Sequence, residues 1–376
     1  MSYQLSIPAR INILGNPSDG NEGDFATISA AINLYARAQI KPAKNMVLEL
    51  LQSQDNEVHT LQKASFDHHD WPLSYNGQLD LLKAGLNRLY AYSPELRRKL
   101  SQYGFHFSTW TEVPRQSGLG GSSLLVLLIL GALRAFYHLD PQVHNDYVLA
   151  ELAQRSEALE MGITCGYADR YVPLFGGLAY LDYRGKLRQQ ALGEEPFVTY
   201  EHLSPWIADL PLLAVTSGLQ HHSGDVHGRM RPRYLAEHQA WQAQGGQPPP
   251  MVGWMQTAYQ TAWRGKIALL HHDWQSFGML MNQNHQAVDQ MMSYCGFENG
   301  AGWANNLLIE TALSHGALGA KLTGAGAGGS VFALVLPEHR PTVRRAWQDA
   351  LQSAGLDQGR IFQPQIARRG LVVKET

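Results

Sequence analysis

The stretch Pro114-Arg115-Gln116-Ser117-Gly118-Leu119-Gly120-Gly121-Ser122-Ser123 runs straight into Leu-Leu-Val-Leu-Leu-Ile-Leu-Gly-Ala-Leu, a glycine- and serine-rich loop feeding an apolar helix. That pairing can cradle a phosphate. Glycines let the backbone come close to an anion, the unpaired amides of a helix N-terminus point at it, and the helix dipole favours negative charge there. The hydroxyls of Ser122 and Ser123 offer a ligand for Mg²⁺. No Gly-Lys-Ser/Thr closes the loop, so it is not of the Walker type. A turn that merely caps a core helix has a similar spelling.

Two other segments bear on that choice. Near one end the chain reads Ile7-Pro8-Ala9-Arg10-Ile11-Asn12-Ile13-Leu14-Gly15-Asn16-Pro17-Ser18-Asp19, and near the other Lys321-Leu322-Thr323-Gly324-Ala325-Gly326-Ala327-Gly328-Gly329-Ser330. Taken in order, Pro-x-Arg-x-Asn-x-x-Gly, Pro-x-x-x-Gly-Leu-Gly-x-Ser-Ser and Lys-x-Thr-Gly-x-Gly-x-Gly-Gly resemble the three motifs of the GHMP small-molecule kinases. That family is named for galacto-, homoserine, mevalonate and phosphomevalonate kinases. The resemblance runs from about residue 5 to about residue 335. It implies an α+β fold of two domains, the first like ribosomal protein S5 domain 2 and the second ferredoxin-like, with ATP bound between them and Mg²⁺ as its metal.

The resemblance also implies roles. Pro114, Gly118, Leu119, Gly120, Gly121, Ser122 and Ser123 would hold the nucleotide phosphates, with Gly324, Gly326 and Gly328 facing nucleotide and substrate from the third motif. Phosphoryl transfer further needs a carboxylate for Mg²⁺ and often a base for the acceptor proton. Glu157 is the candidate for the metal, beside Ser123, with Glu160 as its fallback; it precedes Asp169 by twelve residues, the spacing of the galactokinase branch. Asp169, in a Gly-x-x-Asp-Arg-Tyr turn, is the candidate base. Arg10 would pair with it, lowering its pKa and helping to neutralise the moving phosphoryl group.

At the substrate end the chain departs from the galactokinases. Their Gly-Glu-His-x-Asp becomes Gly15-Asn16-Pro17-Ser18-Asp19, which argues against galactose while keeping Asp19 where the family places a hydroxyl-binding carboxylate. This motif, the Pro-Arg-Gln cradle, Asp169-Arg170 with its following Gly-Gly-Leu, and the run Ser217 to Tyr234 together resemble the glucuronokinase branch. That branch phosphorylates the anomeric hydroxyl of a uronic acid. Asn16, Asp19 and Thr323 are then substrate ligands. Arg115, Arg170, Arg229, Arg231 and Arg233 are the candidates to hold a carboxylate, a task suited to a planar guanidinium. Alternatives are kinases of a heptose phosphate, galactose, arabinose, fucose or mevalonate, or a sensor that has lost catalysis. His221, His222 and His227 read as surface or packing histidines, without a zinc spacing.

The composition agrees with an enzyme of small molecules. At 376 residues two domains are expected, here 1–200 and 201–376, with a boundary near 195–210. A formal net charge of −2, with 30 Lys and Arg scattered along the chain, gives no basic excess for nucleic acid. The 2 cysteines, Cys165 and Cys295, make no disulfide framework or cysteine zinc site and suit a reducing compartment. The first residues lack the charged and apolar regions of a signal peptide, and the run Leu124–Leu133 is too short to cross a bilayer. The chain is therefore expected to be cytoplasmic, with no membrane partner.

Periodicity supplies the elements that position these residues. Strand alternation opens the chain and resumes over Ala31–Ile40, Phe105–Trp110, Leu210–Thr216 and Ser330–Leu336. Helical spacing covers 77–103, a buried helix about Ser122–Tyr137, and Asp146–Met161, ended by Gly162. Residues 166–183 read as loop and turn entering a strand, and 253–316 as mostly helical. Gly324-x-Gly326-x-x-Gly329 spells a dinucleotide fingerprint, but it opens a strand rather than a helix, which excludes NAD.

Overall fold

Exposed Gln4 and half-buried Ser6 alternate with buried Tyr3, Leu5 and Ile7, so the chain opens as strand β1 (Tyr3–Leu14), whose later residues are buried on both faces. The computed structural model describes all residues except 22, 55–56, 68, 187–191 and 221–222; His221 and His222 thus lie outside the described residues. After β1 come β2 (Ala26–Ala43), β3 (Met46–Gln54), β4 (Glu57–Phe66), β5 (Gly104–Thr111), β6 (Leu178–Asp182) and β7 (Thr199–His202). They form a mixed sheet in the order β1-β2-β5-β3-β4, with β6 on β2 and β7 on β6. The closing strand of the chain, β12 (Val372–Glu375), returns to pair with β1.

Helices α1 (Asp80–Tyr92) and α2 (Pro94–Leu100) precede β5, and α3 (Gly121–Phe136) follows it. Leu124, Val126, Leu127, Leu128, Ile129 and Leu130 are all buried, so α3 is covered on most sides, by α1, β1 and β2. α4 (Asp146–Arg155) stops earlier than its apolar pattern predicts, and Ser156–Glu160 continue as one π-helical turn. Such a turn widens the helix and is common at functional sites; here it carries Glu157. The segment expected to be loop holds a short helix, α5 (Ala168–Phe175), with Asp169 in its first turn. The hydroxyl of Tyr171 donates to Glu151 at 2.6 Å, inside a buried ionic cluster of Glu151, Arg155, Lys186 and Glu195 that ties α5 to α4.

The second half contributes β8 (Leu212–Thr216), β9 (Gly319–Thr323), β10 (Ser330–Leu334) and β11 (Arg360–Phe362), an antiparallel sheet in the order β11-β8-β10-β9. Its helices are α6 (Ser223–Gln244), α7 (Pro250–Leu270), α8 (Trp274–Tyr294), α9 (Trp303–Ser314) and α10 (Arg340–Ser353). Leu213, Val215, Val331, Leu308, Val343 and Trp347 make a core between this sheet and α9 and α10. α7 packs on β1 and β2, and α8 and β9 both meet β1, joining the two halves. The third glycine loop turns out to be flanked by strands on both sides, since β9 and β10 pair with Thr323 opposite Ser330.

Candidate active site

Residues two apart on a strand share a face, and β1 therefore offers Arg10 and Asn12 together. Arg10 grips Asp169 with both ends of its fork, Nε to Oδ1 and Nη2 to Oδ2, each at 2.5 Å. Its remaining Nη1 donates to the Gly118 carbonyl at 2.5 Å, so one side chain joins the candidate base Asp169 to the glycine loop. Asn12 Nδ2 approaches the same Asp169 Oδ1 at 3.4 Å, while Asn12 Oδ1 accepts from Ser29. Burial alone would raise the Asp169 carboxyl, but the charges of Arg10 and Arg170 outweigh it and hold the group well below the usual carboxylate range.

The cradle and the third loop meet backbone to backbone. Gly118 and Gly324 both have left-handed φ, +73° and +80°. Thr323 Oγ1 donates to the Gly118 carbonyl at 3.4 Å and accepts from the Asn12 amide at 3.1 Å. Ser330 Oγ donates to the Ser117 carbonyl at 2.7 Å. Gly120, at φ +86°, opens α3, and no described side chain caps that end, whereas Ser93, Asn145 and Asp273 cap α2, α4 and α8. The first amides of a sixteen-residue helix are thus left for an anion.

Glu157 faces this end from the π-helical turn. Its Oε2 accepts from Arg170 Nη2 at 2.7 Å and Ser122 Oγ at 3.3 Å. Its Oε1 and the Ser123 Oγ are buried with no hydrogen-bond partner among the described residues. Buried polar oxygens are costly unless satisfied, and an all-oxygen pair beside a phosphate site suits Mg²⁺, which takes one or two carboxylates and completes its shell with phosphates and water. Among the described residues no cluster of three or more His, Cys, Asp or Glu offers a self-contained metal cage. Glu160 points away, to Arg88 at 2.9 Å and the Tyr75 hydroxyl at 2.9 Å.

Asp19 is buried near Asp169. Its Oδ2 accepts from the Ala168 amide at 3.1 Å, and a Cβ on Gly166 would collide with this carboxylate. Burial, then the nearby Asp169 charge, pushes the Asp19 carboxyl up to about 6. Asn16 is fixed by Lys321 Nζ, which donates to its Oδ1 at 2.7 Å and to the Leu322 carbonyl at 3.0 Å; burial pulls Lys321 down to about 7. Asn284 holds the same turn, accepting from the Gly15 amide at 2.9 Å and donating to the Asn16 carbonyl at 3.0 Å.

The five arginines separate. Arg170 is fully buried and committed to Glu157, to the Gly166 carbonyl at 2.8 Å and to Asp169 at 3.7 Å. Arg229 pairs with Asp225 at 3.1 Å over the Phe297 ring, and Arg233 with Glu237 at 2.9 Å over the Tyr294 ring, both at exposed positions of α6. Arg115 is exposed beside the cradle and Arg231 is half-buried. Pro114 is exposed, its carbonyl accepting from Ser117 Oγ at 2.8 Å, and Leu119 is buried. Gly326 packs on Met292, and the Gly328 carbonyl accepts from Asn305 at 3.0 Å; both shape the third loop from outside the cluster around Asp169.

Comparison with known proteins settles the family. The GHMP kinases N terminal domain model matches residues 86–177 and the GHMP kinases C terminal model residues 266–353. Glucuronokinase 1 of Arabidopsis thaliana is 31% identical over 334 residues, 86% of this chain and 83% of that protein. The chain is a GHMP kinase. D-glycero-alpha-D-manno-heptose 7-phosphate kinase of Campylobacter jejuni is 23% identical over 92% of this chain and 93% of its own. In fold, the GHMP kinase resembles Lactococcus lactis galactokinase complexed with galactose, with a TM-score of 0.75 at 18% identity, over 99% of this chain and 95% of that one. Among the described residues no helix of this kinase is long and apolar enough to cross a membrane.

Sequence reasoning passed over four polar residues of this GHMP kinase. Asn12 and Lys321 lie inside quoted motifs, each two residues from a candidate on the same strand, and that spacing is the signal that finds them. His227, read as packing, sits on α6 with its Nδ1 3.8 Å from where a Cβ on Gly20 would be. Burial lowers its pKa, with Asp169 opposing and Arg170 and Arg10 adding to the shift, so it shares the electrostatic field of the site. Asn284 has no motif around it; only the packing of α8 against the Gly15 turn brings it in.

Proposed function

We propose that this kinase transfers the γ-phosphoryl group of ATP to the anomeric hydroxyl of a uronic acid, glucuronate first among them, giving ADP and the sugar 1-phosphate. One observation carries the reading: the Arg10–Asp169 pair is anchored to the Gly118 carbonyl of the cradle, so the base is fixed against the place where phosphates bind. The acceptor oxygen bonds to the γ-phosphorus, the bond from that phosphorus to the β-bridging oxygen breaks, and Asp169 takes the acceptor proton. The amides of Gly121 to Ser123 and the α3 dipole hold the phosphates. Glu157 and Ser123 hold Mg²⁺, which supplies charge neutralisation of the phosphates when bound.

The choice of hydroxyl follows from the weakness of the base. A carboxylate paired this strongly with two guanidinium groups accepts a proton poorly, and the anomeric hydroxyl is the most acidic in a sugar. Asp19 and Asn16 would take sugar hydroxyls. For the carboxylate we take Arg231, half-buried on α6 one helical turn from His227, ahead of Arg229 and Arg233 at exposed positions of the same helix and of Arg170, which is buried against Glu157. The likeness to the Arabidopsis glucuronokinases supports the uronate. We place the division between the two domains near residue 200.

The test is a screen of glucuronate, galactose, glucose, arabinose, fucose, heptose 7-phosphate and mevalonate with ATP and Mg²⁺, and assignment of the product by ³¹P NMR. Glucuronate 1-phosphate is expected. Turnover of heptose 7-phosphate in preference to glucuronate would replace the substrate and leave the kinase.

A further inference from the structure

Beyond its charge on Asp169, the transfer described above gives Arg170 no task, although its guanidinium is buried and also bonds Glu157. We propose that Arg170 is a positioning residue that restricts Glu157 to a single metal-binding oxygen and so makes the site select Mg²⁺ over the larger Ca²⁺. The inference rests on the proposed placement of Mg²⁺ at Glu157.

The two oxygens of Glu157 are unlike. Oε2 takes Arg170 Nη2 and the Ser122 hydroxyl, whereas Oε1 is buried and without a partner among the described residues. Arg170 cannot swing aside easily, because its Nη1 is held by the Gly166 carbonyl and lies 3.7 Å from Asp169 Oδ2. A planar fork hydrogen-bonded to Glu157 and Gly166 withholds Oε2 from any metal and aligns the carboxylate so that Oε1 stands free. Mg²⁺ accepts one oxygen from a carboxylate within a tight six-coordinate shell. Ca²⁺ takes six to eight oxygens at longer distances, often both oxygens of one carboxylate. A site that offers one Glu157 oxygen and one hydroxyl, Ser123 Oγ, therefore matches the smaller ion.

The experiment uses the full chain with the non-hydrolysable analogue AMPPNP bound. Mg²⁺ and Ca²⁺ are titrated calorimetrically into wild type, Arg170→Gln, Arg170→Lys and Glu157→Gln, subtracting titrations of free nucleotide. Arg170→Gln should narrow the preference for Mg²⁺ roughly 10-fold or more, the range typical of groups that orient a metal ligand. Arg170→Lys, a point charge unable to hold Gly166 and Glu157 together, should narrow it by about 3-fold or more. If Arg170→Gln does not fold, the lysine variant decides alone. A merely structural arginine would weaken both ions equally, so an unchanged ratio overturns the inference. If Glu157→Gln binds both ions as wild type does, the metal is not at Glu157, and the placement falls together with this inference; a loss there with an unchanged ratio in the Arg170 variants sinks this inference alone.

Discussion

Gly118 and Gly324 come from loops more than two hundred residues apart and touch through their bare backbones. A Cβ on Gly324 would lie 2.7 Å from the Gly118 Cα, and one on Gly118 would lie 2.5 Å from the Thr323 carbonyl oxygen. The contact closes the third loop over the phosphate cradle, and neither residue can carry a side chain without opening it. With left-handed φ at both, an added methyl is also strained by about 1–3 kcal/mol.

Gly324→Ala should therefore lower Tm by on the order of 5 °C and kcat/KM by about 10²-fold, because the cradle is displaced from the base. Thermal melting and steady-state kinetics check this. A variant that melts lower yet keeps its kcat/KM would show that the loop contact stabilises without aligning the site.

Asp169→Asn keeps shape but removes the proton acceptor and leaves Arg10 and Arg170 without their shared anion. We expect kcat to fall roughly 10²–10⁴-fold with little change in nucleotide affinity. Nucleotide binding by calorimetry beside kcat separates the two effects. Near wild-type kcat would end the role of Asp169 as base.

Asp19 gives a pH signature of opposite sign to most carboxylates. Its carboxyl is at about 6 in the folded chain against 3.8 when free, so the folded protein holds the proton more tightly than the unfolded one. The penalty for ionising it is absent below about pH 4, builds up as pH rises from about 4 to 6 and is fully present above that. Asp19→Asn, which can still accept from the Ala168 amide, avoids that penalty. The variant should be more stable than wild type by on the order of 1–3 kcal/mol at pH 7.5, with the gap shrinking toward pH 4.5. Denaturant melts at the two pH values measure the gap, and a gap that does not change with pH would contradict the shift.

Several of these relationships are legible in the sequence alone. Arg10, Asp169, Glu157 and the glycine loops sit in short stretches where the local chemistry is tied to spacing, and the alternation around Arg10 already places it on a strand. The apolar run after Ser123 could only be a buried helix. What spacing does not encode is which buried charge faces which. Arg170 read as a substrate ligand because a guanidinium beside a catalytic loop suits a carboxylate; its partner is Glu157, brought across by a π-helical turn that a helical pattern cannot announce. His227 read as packing for a similar reason, since only the crossing of α6 over the Gly20 turn brings its ring to the site. Asn284 reaches the Gly15 amide from a helix whose sequence is otherwise an ordinary amphipathic pattern.

The substrate carboxylate provides the sharpest test of the uronate reading. Glucose and galactose have nearly the same shape as glucuronate but carry no charge at C6, so a neutral pocket would scarcely separate them. A pocket whose arginine is desolvated around the carboxylate leaves that cation unpaired when a neutral sugar enters, and it should reject such sugars by at least about 10²-fold in kcat/KM. Arg231→Met should bring the three sugars to within about 10-fold of one another, mainly through loss of glucuronate turnover. Arg229→Met should preserve the preference, because that guanidinium already stacks on Phe297 and pairs with Asp225. Kinetics on the three sugars with wild type and both variants decide it. Equal turnover of glucose by wild type would remove the uronate, and a preference that survives Arg231→Met would move its carboxylate to another cation, with Arg115 at the mouth of the cradle next to be replaced.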